Sequence, residues 1–252
     1  MTLHVTTLGT GTALPDAARG PTSTLVRSAT TTVVVDLGSG ALQKLAAADH
    51  SPLTVDAVLL THAHLDHIAD VFPLLFTFIV PYYRRTTPLR LLASTDTLRR
   101  IEQAREAFDH WMQTDQVVFE AVEAGDAVTI GDLTVTVGTV DHDASSVGYR
   151  FTDAQGTAVA IPGDSAPCEG LDALLAGATL AVLECSTPDE VFVPGHLTPV
   201  SLAAAAKRAG LAHLVVTHRY PLAQQIDVAA EVARGYDGTV TVAEDGQTFE
   251  VS

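Results

Sequence analysis

Within the stretch Thr61-His62-Ala63-His64-Leu65-Asp66-His67, three imidazoles and one carboxylate fall inside six residues. The segment follows directly on Val55-Asp56-Ala57-Val58-Leu59-Leu60, an apolar run of the kind that forms a buried strand. His62 and His64, two apart in extended chain, point to the same side of it. The chain then turns, and Asp66 and His67 open a segment, Ile68 to Phe78, that reads as helical. Imidazole nitrogen and carboxylate oxygen are thereby offered to one small volume. The donor set suits zinc, and iron, manganese or nickel can also be held by it. Four polar residues on a solvated loop would be the ordinary reading of a lone histidine. For H-x-H-x-D-H at the end of a buried strand, a metal site is the better account.

The elements that must position this motif can be read on either side of it. Leu3 to Leu8 reads as a strand closed by Gly9-Thr10-Gly11, and 22–27 with 31–37 as a hairpin rich in Val and Thr, followed by a helix over 41–48. Asp36, at the end of that hairpin, suits a turn-capping role, with a place beneath the metal site as the alternative. Gly9 and Gly11 do not make a dinucleotide loop, because Leu14 stands where the third glycine belongs and Pro15 and Pro21 break the following segment. Strands are expected over 89–93, 117–122, 127–130, 133–140, 147–151 and 157–161, and a charged helix over 95–110. From Cys168 onward helices (171–175, 199–209, 223–234) alternate with strands (180–183, 213–217), and 238–243 and 248–251 close as strands. Strands then helices, twice over, suit an α/β fold of two sheets packed face to face with helices outside, each half supplying one sheet. No low-complexity linker divides the 252 residues, so a single domain over 1–252 is expected.

Composition restricts the partners. With 30 acidic against 14 basic residues the formal charge is −16, a surface that repels long nucleic acid and leaves a small-molecule substrate as the default. Cys168 and Cys185 form no CxxC pair and no disulfide framework, and read as buried thiols. No basic region followed by an apolar core opens the chain, and the longest apolar run, Val71 to Pro81, is too short to span a bilayer. A cytoplasmic protein without membrane contact is expected. Phe72 to Phe78 and Pro81-Tyr82-Tyr83-Arg84-Arg85 read as core helix or as a homodimer face, with Arg84 and Arg85 a solvated pair or a phosphate contact.

Further donors recur where strands end: His142 in Val140-Asp141-His142-Asp143, Asp164 in Ile161-Pro162-Gly163-Asp164-Ser165, and His218 in Val215-Val216-Thr217-His218. The H-x-H-x-D-H motif and its place in the chain resemble the metallo-β-lactamase superfamily of hydrolases, whose fold is an αββα sandwich with metals at the sheet edges. The resemblance implies one metal on His62, His64 and His142, a second on Asp66, His67 and His218, and Asp164 bridging both. The lactamases proper lack this aspartate and commonly use a cysteine; flavodiiron enzymes carry glutamate where His64 stands. Leu8 through Arg19, Leu183-Glu184-Cys185-Ser186, Gly195-His196-Leu197-Thr198 and Thr217-His218-Arg219-Tyr220 resemble the ribonuclease Z-like branch, with Leu197 replacing a serine of its H-S-T segment. That likeness implies a non-ligand His196 facing the leaving group and oriented by Glu184; the plain alternative is a helix-start residue.

The implied chemistry is hydrolysis by a hydroxide shared between two zinc ions, with manganese or iron as alternatives, since zinc lowers the pKa of bound water to about 7. Asp66 would orient that hydroxide and His196 protonate the leaving alkoxide. Ribonuclease Z enzymes carry a long tRNA-binding arm between the third histidine and the bridging aspartate; here His142 and Asp164 lie 22 positions apart, with room for two strands and a turn. The large insert of the β-CASP nucleases is missing as well. His64-Leu65-Asp66-His67-Ile68 also resembles the signature of class II cyclic-nucleotide phosphodiesterases. A small phosphodiester, cyclic or linear, is the leading expectation. A lactone or thioester on the same dizinc site is the alternative within hydrolysis, and a metal-bearing regulatory protein with little turnover the alternative outside it. His4, His50, His110, His213 and Trp111 have no motif around them.

Overall fold

The computed structural model describes residues 2–252. β1 (Leu3–Gly9), β2 (Ser23–Arg27) and β3 (Thr32–Val35) pair antiparallel in order; α1 (Ala41–Ala47) then leads to β4 (Ala57–Leu59), parallel to β3. α2 (Leu65–Ile68) and α3 (Val71–Thr77) precede β5 (Leu89–Ala93), α4 (Thr95–Phe108) and β6 (Val117–Ala121), which extend the sheet in parallel. The second sheet contains β7 (Ala127–Ile130), β8 (Leu133–Thr139), β9 (Val147–Thr152) and β10 (Ala158–Ile161). After α5 (Glu169–Leu175) come β11 (Leu180–Glu184), α6 (Pro199–Ala209), β12 (His213–Thr217), α7 (Val228–Ala233) and β13 (Thr239–Val242). β14 (Gln247–Val251) ends the chain.

The layers follow from strands buried on both faces. Val33 and Val35 join the core between the sheets, together with Leu59, Val135, Tyr149, Phe151 and Val215, while Val34 between them packs outward beneath α1 and α3. Leu214 and Val216 likewise face α5, α6 and α7, leaving Val215 to the central layer. Each such strand therefore reads as continuous Val/Leu/Ile rather than as an alternation. The result is the expected αββα sandwich.

Three expectations change. The halves do not each keep their own sheet: β14 crosses back to pair antiparallel with β1, giving two sheets of seven strands. The Asp245 carboxylate fixes that return, accepting from Thr10 N at 2.9 Å, Thr10 Oγ1 at 2.7 Å and Gly20 N at 2.7 Å. The helix expected over 68–78 is split, because Asp70 turns out of it to accept from Gly40 N at 3.1 Å and Leu42 N at 2.9 Å. The last helix starts only at Val228, where Asp227 caps it by accepting from Ala230 N.

Gly9 has a packing role, since a Cβ there would meet the Pro21 carbonyl oxygen at 1.9 Å. Both cysteines are free, Cys185 buried and Cys168 half-buried at the start of α5. Leu74, Leu75 and Phe78 belong to the core, whereas Phe76, Tyr82, Phe108 and Trp111 are exposed. Arg84 pairs with Asp115 at 2.9 Å and Arg85 donates to the Thr87 carbonyl at 2.9 Å. Among the described residues no helix is long and apolar enough to cross a membrane.

Candidate metal centre

β10, β11 and β12 are parallel neighbours, and β9 runs antiparallel to both β8 and β10. Four strands of the second sheet therefore end on one rim, where they meet the carboxyl end of β4. There the structure brings together every residue that the sequence proposes for metal binding or catalysis. His62 Nε2 lies 2.9 Å from His64 Nδ1, which lies 3.1 Å from His142 Nε2. On the second side His218 Nε2 lies 3.2 Å from Asp66 Oδ2, and His67 Nε2 lies 4.0 Å from the same oxygen. Asp164 Oδ2 sits between the groups, 3.5 Å from His67 Nε2, 3.6 Å from His218 Nε2 and 3.9 Å from His142 Nε2. The sets His62/His64/His142 and Asp66/His67/His218 each keep their donor atoms within 4.8 Å of one another.

The outer nitrogens explain why these particular atoms face inward. His67 Nδ1 donates to Asp36 Oδ2 at 2.7 Å, and His142 Nδ1 to the Gly195 carbonyl at 2.9 Å. Gly195 holds φ +81°, and a Cβ there would stand 2.8 Å from His142 Nδ1. His62 Nδ1 meets Thr61 Oγ1 at 3.0 Å, and that hydroxyl donates in turn to Asp36 Oδ2 at 2.9 Å. His218 Nδ1 lies 3.3 Å from Ser186 Oγ. In each case the occupied Nδ1 leaves the Nε2 lone pair for the centre, the arrangement that metal-binding histidines need. His64 alone turns Nδ1 inward, and it is also the exposed member, at the mouth.

Asp36 and His218 are non-glycine residues at φ +60° and +48°. Backbone bonds hold both: Asp36 N donates to Leu59 O at 2.8 Å and His218 N to Thr10 O at 2.9 Å. The Gly9-Thr10-Gly11 turn thus supports a donor histidine.

The fit to a divalent cation rests on His67. Its Nε2 is buried without any hydrogen bond among the described residues, although native interiors rarely leave such an atom unpaired. Burial lowers the pKa of His67, but Asp164 and Asp36 outweigh it and hold the ring well above the ordinary imidazole range. His218 is raised against its own burial by Asp164 and Asp66. Burial works to raise Asp164, yet His218 and His67 keep it well below the usual carboxylate range. His62 and His64 are lowered, first by burial and then by neighbouring imidazoles, and so remain neutral donors. Protons held by His67 and His218 occupy the place that cations would take, and metal binding must displace them.

His196 stands apart in function. Its Nδ1 lies 3.0 and 3.1 Å from the two oxygens of Glu184 and 3.1 Å from Ser186 Oγ, and its Nε2 makes no hydrogen bond among the described residues. Burial depresses its pKa, but the Glu184 hydrogen bond and charge more than compensate. Thr198 caps α6 in a reciprocal pair with Ser201 and so fixes the turn that carries His196.

Sequence reasoning missed Thr61, Ser186 and Tyr220. Thr61 and Ser186 adjoin recognised motifs, a usable signal for outer partners of donor histidines. Tyr220 packs edge-on to His218 and His196 at 5.6 and 6.3 Å between ring centres. Its phenol is pushed up to about 12 by burial and by Asp66, Asp164 and Glu184. His4, His50, His110 and His213 belong to none of the donor groups found among the described residues.

Known proteins bear on this arrangement. The family described as "Beta-lactamase superfamily domain" matches residues 31–219. A protein named Ribonuclease Z from Mycolicibacterium gilvum (strain PYR-GCK) is 32% identical over 276 aligned positions, covering 99% of this chain and 96% of its own length. Among solved structures, the metallo-beta-lactamase fold protein YhfI from Bacillus subtilis superposes with a TM-score of 0.84 at 24% identity, covering 99% of each chain. Human tRNase Z, short form, superposes at 0.77 with 21% identity and the same coverage.

Proposed function

As a member of the metallo-β-lactamase superfamily and a homologue of ribonuclease Z, this chain is a metal-dependent hydrolase, and we propose that it cleaves a small phosphodiester, cyclic or linear, at a dinuclear zinc centre. In this reading the chain acts as one catalytic domain. His62, His64 and His142 would hold one ion, Asp66, His67 and His218 would hold the other, and Asp164 would serve both. Such a pair, when bound, lowers the pKa of water to about 7 and neutralises charge on a phosphoryl oxygen; manganese or iron could replace zinc. The chain's own residues do the rest. Asp66, whose carboxylate lies beside His67 and His218 at the centre, would orient the attacking water. His196 gives the proton on Nε2 to the departing alkoxide while Glu184 holds Nδ1 and steadies the charged ring.

One observation carries the phosphodiester reading: a histidine beside the donor cluster is tied to a buried glutamate at 3.0 Å and keeps its other nitrogen free. Ester opening by an activated water has less need of that acid. A ribonuclease reading has its own support in the 32% identity to a Ribonuclease Z. Against it, the chain between His142 and Asp164 holds only β9, a tight turn and β10, and the chain carries −16. The exposed Phe76, Phe108 and Trp111 are the face we assign to a homodimer.

The test is turnover of bis(p-nitrophenyl) phosphate beside a lactone, a thioester and a precursor tRNA, with zinc- and manganese-loaded protein. Diester hydrolysis abolished by His64→Ala is the expected result. Turnover confined to the lactone or thioester would keep the metals and remove His196 as a phosphodiester acid. Cleavage of the tRNA alone would establish the ribonuclease, and zinc bound without turnover a regulatory protein.

A further inference from the structure

The donor cluster shares a wall with a cavity of about 530 Å³. Ser186, His196 and Tyr220 form the shared side. Leu14, Val191, Val193, Pro221 and Leu222 form most of the rest, drawn from the turn after β1, the β11–α6 connection and the segment after His218. No lining residue is an Asp, Glu, Lys or Arg, although the chain as a whole is strongly acidic. Of the three side-chain hydroxyls in the lining, those of Ser186 and Thr187 are already engaged, and only the Tyr220 phenol makes no hydrogen bond among the described residues. Ser186 Oγ lies 3.1 Å from His196 Nδ1, and Thr187 Oγ1 donates to the Val191 carbonyl at 2.7 Å. Around the mouth Leu14, Val193 and Leu222 are 48%, 37% and 48% exposed, so a group entering the cavity would cover apolar surface now open to water.

Resting on the phosphodiesterase reading above, we infer that this cavity seats the leaving alcohol, and that the substrate is a phosphodiester whose leaving group is bulky, uncharged and apolar. Its place decides which ester group enters: the cavity lies on the side of His196, the residue that meets the departing oxygen. Its volume falls in the range of pockets that enclose a whole small ligand, and far exceeds what a short alcohol fills. Its chemistry suits a nucleotide poorly. A base is read by several hydrogen bonds along its edge, whereas the Ser186 and Thr187 hydroxyls are spent on His196 and on Val191, which leaves the Tyr220 phenol as the one unengaged hydroxyl of the lining. A second phosphate, as in an oligonucleotide, would need a cationic partner of its own, and besides His196, which the departing oxygen occupies, the lining offers none.

The test uses the zinc-loaded 252-residue chain and methylphosphonate monoesters of methanol, benzyl alcohol and 2-naphthylmethanol, which share one negative charge and differ in apolar bulk. Calorimetric dissociation constants should fall about tenfold from methyl to benzyl and about tenfold again to naphthylmethyl, as expected for burial of the added rings. Leu222→Asp and Val193→Asp, on the exposed rim, should collapse the naphthylmethyl-to-methyl ratio, and Leu222→Met should retain it. Equal affinity across the series, or an unchanged ratio in both aspartate variants, overturns the inference. A flat series in a protein that still hydrolyses diesters removes this cavity assignment and leaves the phosphodiesterase. A steep series in a protein that hydrolyses no diester supports an apolar-group site and removes the phosphodiesterase reading instead.

Discussion

Replacing Asp36 by asparagine should weaken one metal while leaving the fold nearly intact. Asp36 is fully buried and accepts from Thr61 N at 2.7 Å, from Thr61 Oγ1 at 2.9 and 3.1 Å, and from His67 Nδ1 at 2.7 Å. Asparagine tolerates φ +60° better than most residues, so the backbone need not move. Its carbonyl oxygen can keep the Thr61 amide, but its NH2 then faces His67 Nδ1 and donates to it. That moves the ring proton to Nε2, the atom aimed at the centre, and removes a ligand lone pair. Losing an outer partner of this kind typically costs about 10–100-fold in metal affinity, or roughly 1.4–2.7 kcal/mol. The loss should fall on the ion held by Asp66, His67 and His218. Competition titration against a chromophoric chelator, with native mass spectrometry for stoichiometry, reads both sites. Two zinc ions bound with wild-type affinity would refute the role given to Asp36; equal weakening of both would point to general loosening instead.

Other consequences can be checked alongside. His196→Ala should retain both metals and lose about 10²–10⁴-fold in kcat; retained turnover in the loaded variant sinks the acid role. Because Glu184 raises the pKa of His196, its acid form persists above the ordinary imidazole range and is lost as pH rises through that raised value. Activity should therefore fall on the alkaline side, and Glu184→Gln should move the fall to lower pH, as read from kcat against pH. Zinc uptake near neutral pH should release protons from His67 and His218, so the calorimetric heat should depend on the ionisation enthalpy of the buffer. Chelation should lower Tm by about 8–16 °C, since a ligand at 1,000 times its Kd stabilises by about 4 kcal/mol and a chain of this length shifts about 2–4 °C per kcal/mol.

The sandwich was legible because its strands carry dense β-branched and leucine runs, and nothing in those runs depends on distant partners. What lay beyond reach was set by single polar contacts across the chain. The return of β14 depends on Asp245 meeting Thr10 and Gly20, and the break before α3 on Asp70 meeting Gly40 and Leu42. An apolar periodicity does not register an acidic side chain that turns to bind remote amides. The site divides in the same way. H-x-H-x-D-H is local and announces itself, whereas His142, Asp164 and His218 gain meaning only from strand ends that the fold brings to one rim. The apolar cavity left no sequence signal, because Leu14, Val193 and Leu222 are ordinary residues in three unrelated turns.

Charge ties the donor set to the proposed substrate. Four carboxylates, those of Asp36, Asp66, Asp164 and Glu184, are at least nine-tenths buried at or just behind this centre. Uncompensated, they would cost far more than the fold could sustain, since buried charge persists only when paired. In the metal-free chain raised protonation of His67, His218 and His196 offsets part of it. Two dications would balance the four carboxylates outright, and the protonated His196 would then offset the charge of the hydroxide nucleophile. A single dication would leave the centre negative and repel any phosphate. The carboxylate count thus argues for the proposed pair of ions, and a centre with no excess positive charge suits a phosphodiester monoanion better than a doubly charged monoester. A neutral apolar group in the adjoining cavity preserves that balance, where a second phosphate would break it.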